Sequence, residues 1–201
     1  MKFLTTITAS AILISGCSGY HLRGDKNEYL EERGVHKVYL APVTNQTFKA
    51  GTENGLYNAM IRKISAYKII ELVPDPESAD AILEGTVTGA VYTSDLTQTT
   101  PASNLKPINT LTPDLQVTLQ YFATLSSSFT LTRTKIKKLG QAPEVVWSSG
   151  FTRSKAFASN NQGGMYGVTA SHINESEFDR TLAELTDLIA DDAHEGMVSM
   201  F

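Results

Sequence analysis

The sequence has one cysteine in 201 residues, no apolar run long enough to span a bilayer, and no excess of positive charge. A single cysteine excludes a disulfide within the chain, so stability has to come from burial of apolar surface. A membrane-spanning helix needs about 20 predominantly apolar residues, and the sequence contains no such run. Lysine and arginine number 17 against 21 aspartate and glutamate, a formal charge of −4. This balance argues against a nucleic-acid partner, which would require a basic surface.

The sequence also lacks the short motifs that mark common enzymes and metal sites. It contains no G-x-S-x-G nucleophile elbow, no H-E-x-x-H zinc motif and no P-loop. The histidines are scattered and none has a partner at metal-ligand spacing: His21, His36, His172 and His194. We therefore expect a protein that is not an enzyme and that holds neither a metal nor a cofactor.

The single cysteine, Cys17, follows a short apolar stretch over residues 3–14, and Lys2 precedes that stretch. A charged start, a short apolar run and small residues before a cleavage point are typical of an export signal. Leu13–Cys17 resembles the lipobox of bacterial lipoproteins, in which a peptidase cuts before the cysteine and its sulfur carries diacylglycerol. The pattern predicts a signal peptide over residues 1–16 and lipid on Cys17. The alternatives are an ordinary secretory signal with an incidental cysteine, and a buried N-terminal helix.

Lipidation of Cys17 would fasten the protein to a membrane. Each buried methylene of an acyl chain contributes about 0.8 kcal/mol, so two or three chains form a durable anchor. Ser18 follows the cysteine, whereas an aspartate at that position tends to retain lipoproteins of this kind at the inner membrane. We therefore expect an outer-membrane protein whose globular part faces the periplasm. Residues 17–34 would form the lipidated tether, and residues 35–201 a single periplasmic domain.

The first half of this domain alternates between strand and helix patterns. Val38 and Leu40 alternate with polar positions, which predicts a strand over residues 36–43. From Thr52, a suitable N-cap, apolar residues recur at helical spacing and predict a helix of about 15 residues: Leu56, Met60, Ile64 and Tyr67. Residues 68–73 are again typical of a strand.

The middle of the domain is dominated by strand patterns. One register holds apolar residues at Ala81, Leu83, Val87 and Val91. Residues 94–113 are rich in Ser, Thr, Pro and Asn and predict a long loop. Residues 115–132 then carry no charge, and their odd positions are apolar except for Ser127. A tight hairpin at the serines is one explanation, but a single long bent strand accounts more simply for the unbroken register.

The end of the chain supplies a last strand and a last helix. Val145, Trp147 and Phe151 share a face and predict a strand that pairs with the preceding one as a long hairpin. Residues 158–173 are typical of a second loop. A helix from Asn174, which can cap it as can Ser176, has an apolar stripe: Phe178, Leu182, Leu185, Ile189 and Ala193. We expect an α+β fold with a mixed, mostly antiparallel sheet of four to five strands, two helices packed on one face and a long projecting hairpin.

Basic residues are concentrated on the predicted hairpin: Arg133, Lys135, Lys137, Lys138, Arg153 and Lys155. Arg133 and Lys135 continue the register of the apolar row, so the face changes from apolar to basic. Such a surface suits a ligand that has both acyl chains and phosphates. The other explanation is that the lysines keep the hairpin tip soluble and prevent edge pairing.

The order of these motifs resembles the LPS-assembly lipoprotein LptE family. The most specific motif is the cysteine followed by GYHLRG, with Ser18 as a small departure from the usual spacing. A strand ending in APVTNQT, an amphipathic helix, the segment SADAILEGTV, a long strand pair with VVWSSGF and a C-terminal helix follow in the family's order. The resemblance covers nearly the whole chain after Cys17.

The resemblance implies an outer-membrane lipoprotein that plugs the lumen of the β-barrel translocon LptD, assists its assembly and helps deliver lipopolysaccharide to the cell surface. It implies no catalytic residues, and lipopolysaccharide binding by the basic residues remains an inference from their position. The alternative is a periplasmic adaptor or pilotin-like lipoprotein that serves another secretion channel. The barrel that co-purifies with the protein distinguishes the two.

Overall fold

The computed structural model describes Leu30 and residues 32–100, 115–134, 143–159 and 168–198. Cys17, the predicted signal peptide and most of the predicted tether lie outside the described residues, as do Lys135, Lys137 and Lys138. Leu30 is buried in the core, so the folded domain begins within the segment that the sequence predicts as tether.

The described residues form a mixed sheet and two long helices, which confirms the α+β prediction. The elements in chain order are β1 (Lys37–Leu40), β2 (Thr44–Asn45), α1 (Thr52–Tyr67), β3 (Glu71–Leu72), β4 (Ala81–Thr100), β5 (Leu115–Arg133), β6 (Val145–Ala158) and α2 (Val168–Val198). The sheet order is β3-β1-β4-β5-β6, and β2 also pairs with β4. The short strands make only parallel pairs: β1 pairs with β3 and β4, and β2 pairs with β4. The long strand β5 pairs in antiparallel with β4 on one side and β6 on the other. The sheet has six strands rather than four to five because the two residues of β2 form a strand that the sequence does not predict, whereas β3 lies within the predicted strand at residues 68–73.

The prediction of a loop from residue 94 is wrong at its start, because β4 continues to Thr100 and pairs there with Leu115. Threonine is frequent in this segment and is β-branched, which favours a strand. The ribbon of β4 and β5 extends past the end of β6, since Ala158 pairs with Gln120. The projecting hairpin is therefore made by β4 and β5, while β6 accompanies β5 over the rest of its length.

Two β-bulges move apolar residues to the opposite face from the one that the alternation predicts. Val87 pairs with Ser127 but Gly89 pairs with Ser126, so an extra residue interrupts β4 and places Val91 on the exposed side. Leu131 pairs with Trp147 but Thr132 pairs with Val145, so β6 has an extra residue at this point. Val145 is therefore exposed, while Trp147 is buried. The predicted register is therefore correct in β4 up to Val87 and in β6 from Trp147 onward.

The core lies between the two helices and the sheet face formed by the odd-numbered residues of β5. The predicted stripe of α2 is buried in full: Phe178, Leu182, Leu185, Ile189 and Ala193. Leu56, Met60 and Ile64 of α1 are also buried, but Tyr67 is half-exposed and stacks on the buried ring of His194. The prediction that both helices pack on one face of the sheet is confirmed.

Both predicted helix caps are wrong. The N-cap of α1 is Gly51, with a left-handed φ of 91°, while Thr52 is the first helical residue. Helix α2 begins at Val168, so Asn174 and Ser176 lie inside it. The polar residues before Asn174 indicated a loop, but residues 168–173 already belong to the helix.

Candidate docking face

The sheet face opposite the helices, which we call the outer face, carries a row of hydroxyl groups, with the exposed side chains of Phe122 and Val145 towards its two ends. Strand β5 contributes its even positions to this face: Thr124, Ser126, Ser128, Thr130 and Thr132. Strand β6 contributes Ser148, Thr152 and Ser154 opposite them. These residues lie on this face because the odd positions of β5 are buried under the helices and side chains alternate along a strand.

The hydroxyl groups of the outer face bond to one another across the strands. Thr124 Oγ1 lies 2.8 Å from Ser154 Oγ, and Ser126 Oγ lies 3.0 Å from Thr152 Oγ1. Thr130 Oγ1 and Ser148 Oγ are 3.2 Å apart. A cross-strand pair of this kind supplies each hydroxyl with a partner that does not depend on water.

On the outer face, β5 carries no charged side chain from Phe122 to Thr132, and β6 carries none from Val145 to Ser154. The one charged residue within these two segments, Arg153, lies on the opposite face of the sheet. On the neighbouring strand β4, the acidic residue Glu84 pairs with Thr130 and so lies directly beside this uncharged area. Burying an ionised group against another protein is costly, whereas a hydrogen-bonded hydroxyl is tolerated. This face is therefore suited to lie against a second polar but uncharged surface.

Arg153 and Lys155 of β6 lie on the helix-facing side of the sheet and are held by acids of α2. Arg153 donates from Nε and from one terminal nitrogen to the two carboxylate oxygens of Asp192, at 2.6 Å each. Lys155 pairs with Glu184. The hydrogen bond to Asp192 raises the pKa of Arg153, and the hydrogen bond from Lys155 lowers the pKa of Glu184. These two cations therefore fasten the edge strand to the last helix.

Arg133, at the other end of β5, is mostly buried. Its guanidinium donates to the carbonyl of Arg33 and lies 3.3 Å from Glu144. Arg133 pairs with Ala81, whereas Arg153 sits opposite Leu125. Eight residues of β5 separate those positions, or roughly 27 Å. The structure thus separates Arg133 from Arg153 and Lys155, and lipopolysaccharide binding by the predicted set stays a prediction.

The sequence held a signal for the pairing of Arg153 and Lys155 with the helix. Both residues share the odd register of Trp147 and Phe151, which the apolar pattern already assigned to the buried side. Two cations on the helix-facing side of an edge strand need acidic partners, and α2 is rich in acids. The cross-strand pairing of the hydroxyls, in contrast, follows from the register between β5 and β6, which the sequence does not specify.

Comparisons with known proteins assign no family. The chain matches no protein-family model and no curated protein. Among solved structures it is similar to the PelC dodecamer of Paraburkholderia phytofirmans, with 13% identity, a TM-score of 0.45, and 83% of this chain and 90% of that chain covered. It is also similar to rare lipoprotein B of Shewanella oneidensis, with 11% identity, a TM-score of 0.42, and 80% and 94% covered. A third is lipoprotein GNA1162 of Neisseria meningitidis, with 13% identity, a TM-score of 0.40, and 73% and 97% covered.

These likenesses are too distant to carry an argument about function, so the proposal below depends on the residues of this chain. Neither of the long helices, over the residues described, is apolar enough to cross a membrane.

Proposed function

We propose that the protein is a lipid-anchored lipoprotein of the outer membrane that docks its outer face against the lumen of the LptD β-barrel translocon. In this role it would help the barrel assemble and so support delivery of lipopolysaccharide to the cell surface. The protein would act by binding and not by catalysis. The single observation that supports docking most strongly is the uncharged outer face of β5 and β6 with its row of hydroxyl groups.

The physical argument concerns the cost of removing this face from water. A polar group that loses water without gaining a partner costs about 1–3 kcal/mol in proteins, and an ionised group costs more. On the outer face the Thr124–Ser154, Ser126–Thr152 and Thr130–Ser148 pairs already satisfy a hydrogen bond each. Docking would therefore leave few orphaned groups, and a barrel lumen lined by polar side chains would accept the rest.

The anchor in this proposal is the lipid on Cys17, which brings the domain to the same membrane as the barrel. Confinement of both proteins to one membrane raises their effective concentration and lowers the intrinsic affinity that the interface has to supply. The intact mass of the membrane-extracted protein tests the anchor. We expect a chain that starts at Cys17 and carries acyl groups, and full-length precursor in Cys17→Ser.

The test of the partner is affinity purification of the tagged full-length protein from detergent-solubilised outer membranes, with the bound proteins identified by mass. The proposal expects LptD in stoichiometric amount. Recovery of a different outer-membrane channel would support the adaptor or pilotin-like alternative, and recovery of neither would contradict a role at a barrel.

A further inference from the structure

Phe48 is the most exposed large apolar side chain of the described residues, with a relative accessibility of 110%. It lies in the short loop that connects β2 to α1. Burial of a phenylalanine contributes about 1.5–3 kcal/mol, and this residue contributes none of that to the fold of its own chain.

The loop that carries Phe48 is held by hydrogen bonds on both sides of it. The side-chain amide of Asn45 donates to the carbonyl of Lys49 at 2.8 Å and to Glu53 Oε2 at 2.6 Å. Asn45 Oδ1 accepts from the backbone N–H of Thr47 at 2.8 Å and from its hydroxyl at 2.7 Å. One asparagine therefore closes the turn around Phe48, and the backbone on either side of the ring is fixed before any partner arrives.

The loop is also tied to the sheet and to the last helix. The N–H of Gln46 donates to the carbonyl of Val87 at 3.0 Å, which fixes the loop to β4. Lys49 pairs with Glu175 and, at 2.5 Å, with Asp179, and its Nζ lies 5.2 Å from the ring centroid of Phe178. Burial would lower the pKa of Lys49, but the hydrogen bonds to Asp179 and Glu175 outweigh it and raise the pKa.

The charged residues that hold the loop describe the surface that carries Phe48. The charges fixed to the loop are one cation, Lys49, against three carboxylates, those of Glu53, Glu175 and Asp179. The charges bonded to this loop are therefore net acidic, which disfavours insertion into an anionic lipid surface and favours a partner with cations.

We propose that Phe48 is a preformed aromatic anchor that inserts into an apolar pocket of a protein partner, at a place where lysine or arginine side chains surround the pocket. The inference rests on the proposed function in one respect, since it names the barrel as that protein. A fixed backbone and a ring with few rotamers lose little conformational entropy on docking, and such preorganisation raises affinity. Phe48 projects from a loop and not from the outer face, so it would form a second contact with the barrel.

The experiment compares the affinity of the acylated protein for purified LptD in detergent between wild type, Phe48→Ala and Leu188→Ala. Leu188 is a matched control because it is an exposed apolar residue, 47% accessible, on α2. We expect Phe48→Ala to weaken the complex about tenfold or more, as hot-spot residues do, while Leu188→Ala binds as wild type does. Thermal unfolding of Phe48→Ala should match wild type, since the ring packs on nothing in the domain.

Each other outcome has a separate meaning. Wild-type affinity in Phe48→Ala would overturn the anchor and leave the proposed function intact. Equal losses in Phe48→Ala and Leu188→Ala would also overturn it, because the effect would not be specific to the loop. Binding to phosphatidylglycerol vesicles, or dimerisation, that disappears in Phe48→Ala would overturn it in favour of a lipid surface or a second copy. Absence of any complex between wild type and LptD would overturn the proposed function and the anchor with it.

Discussion

The hydroxyl oxygens of Thr124 and Ser154 lie 2.8 Å apart across β5 and β6, on the side of the sheet opposite α1 and α2. The pair is one of three such contacts that run along the two strands. On a surface that always faces water, each hydroxyl could bond to solvent at no cost, and charged residues would be common. Hydroxyl groups that bond to one another across two strands, with no charged side chain on this face of either strand, are instead compatible with a surface that another protein covers.

The packing of α2 predicts a sharp contrast between two leucines three residues apart. Leu185 is fully buried, whereas Leu188 is 47% exposed. Leu185→Ala should lower the free energy of unfolding by about 2–5 kcal/mol, because it removes buried methyl groups and leaves a cavity. Leu188→Ala should change it by less than about 0.5 kcal/mol. Urea denaturation of both variants measures this, and equal losses would mean that the face of α2 assigned to the core is wrong.

The close packing around Gly85 in β4 leaves no room for a larger side chain at this position. A Cβ atom at this position would lie 2.9 Å from Cε1 of Phe129 and 3.2 Å from Cγ2 of Val43. Gly85→Ala should therefore destabilise the domain by about 1–3 kcal/mol, as overpacking of a core does. Gly150→Ala is the matched control, since the nearest atom to its Cβ would be 3.8 Å away. A destabilisation of the same size at Gly150 would point to an effect of glycine replacement in strands rather than to the contact with Phe129.

The hydrogen bonds to Glu53, at the start of α1, predict that the domain loses stability in acid. The residue's own backbone N–H, the amide of Asn45 and the N–H of Gly51 bond to the carboxylate and lower its pKa from the usual 4.5, although burial opposes this. A folded pKa below the unfolded pKa means that the carboxylate stabilises the domain above pH 4.5 and that this contribution is lost as the pH falls through the folded pKa.

The measurement is the denaturation midpoint of wild type and of Glu53→Gln between about pH 7 and pH 3. The pH is changed in steps of roughly half a unit near the ordinary carboxyl pKa. Wild type should be the more stable at neutral pH, and the difference should shrink as the pH falls. A constant difference over this range would show that the pKa of Glu53 is the same in both states.

The lysines of the predicted hairpin tip test direct binding of lipopolysaccharide. Replacement of Lys135, Lys137 and Lys138 by glutamate should weaken binding to purified lipopolysaccharide, because phosphate contacts become repulsive, and the loss should shrink in high salt. Arg153→Gln serves as the comparison, since Asp192 already neutralises that arginine. Unchanged binding in the triple variant would assign the three lysines to solubility.

Much of the fold follows from periodicity, and the failures have local physical causes. The stripes of α1 and α2 and the long register of β5 could be predicted because each depends only on the spacing of apolar residues within one element. Val91 and Val145 could not be placed, because a bulge depends on the pairing of two strands and reverses the faces beyond it. Threonine-rich residues at the end of β4 indicated a loop by composition, but pairing with β5 keeps them in the sheet.

The candidate site was predictable only in its composition. Absence of charge over residues 115–132 is visible in the sequence and indicates an unusual face. The partners of Arg153 and Lys155 depend on how α2 packs over β6, which involves residues about 30 to 40 positions away in the chain. Phe48 has no signal in the sequence, because an apolar residue after Asn45 fits a buried loop as well as an exposed one.

The most direct test of the central claim places a charge in the middle of the outer face. Ser128 is exposed, pairs with Thr86 and Gly150, and lies on the face of the sheet opposite the core. Ser128→Asp would set an ion against the barrel wall, where desolvation is costly. Ser65→Asp makes the same change on the exposed side of α1 and is the matched control.

The measurement is the amount of LptD recovered with each tagged variant from detergent-solubilised outer membranes, after equal thermal unfolding of the purified variants has been shown. The account predicts that Ser128→Asp loses most of the LptD while Ser65→Asp recovers as much as wild type. Full recovery of LptD with Ser128→Asp would contradict the docking of the outer face.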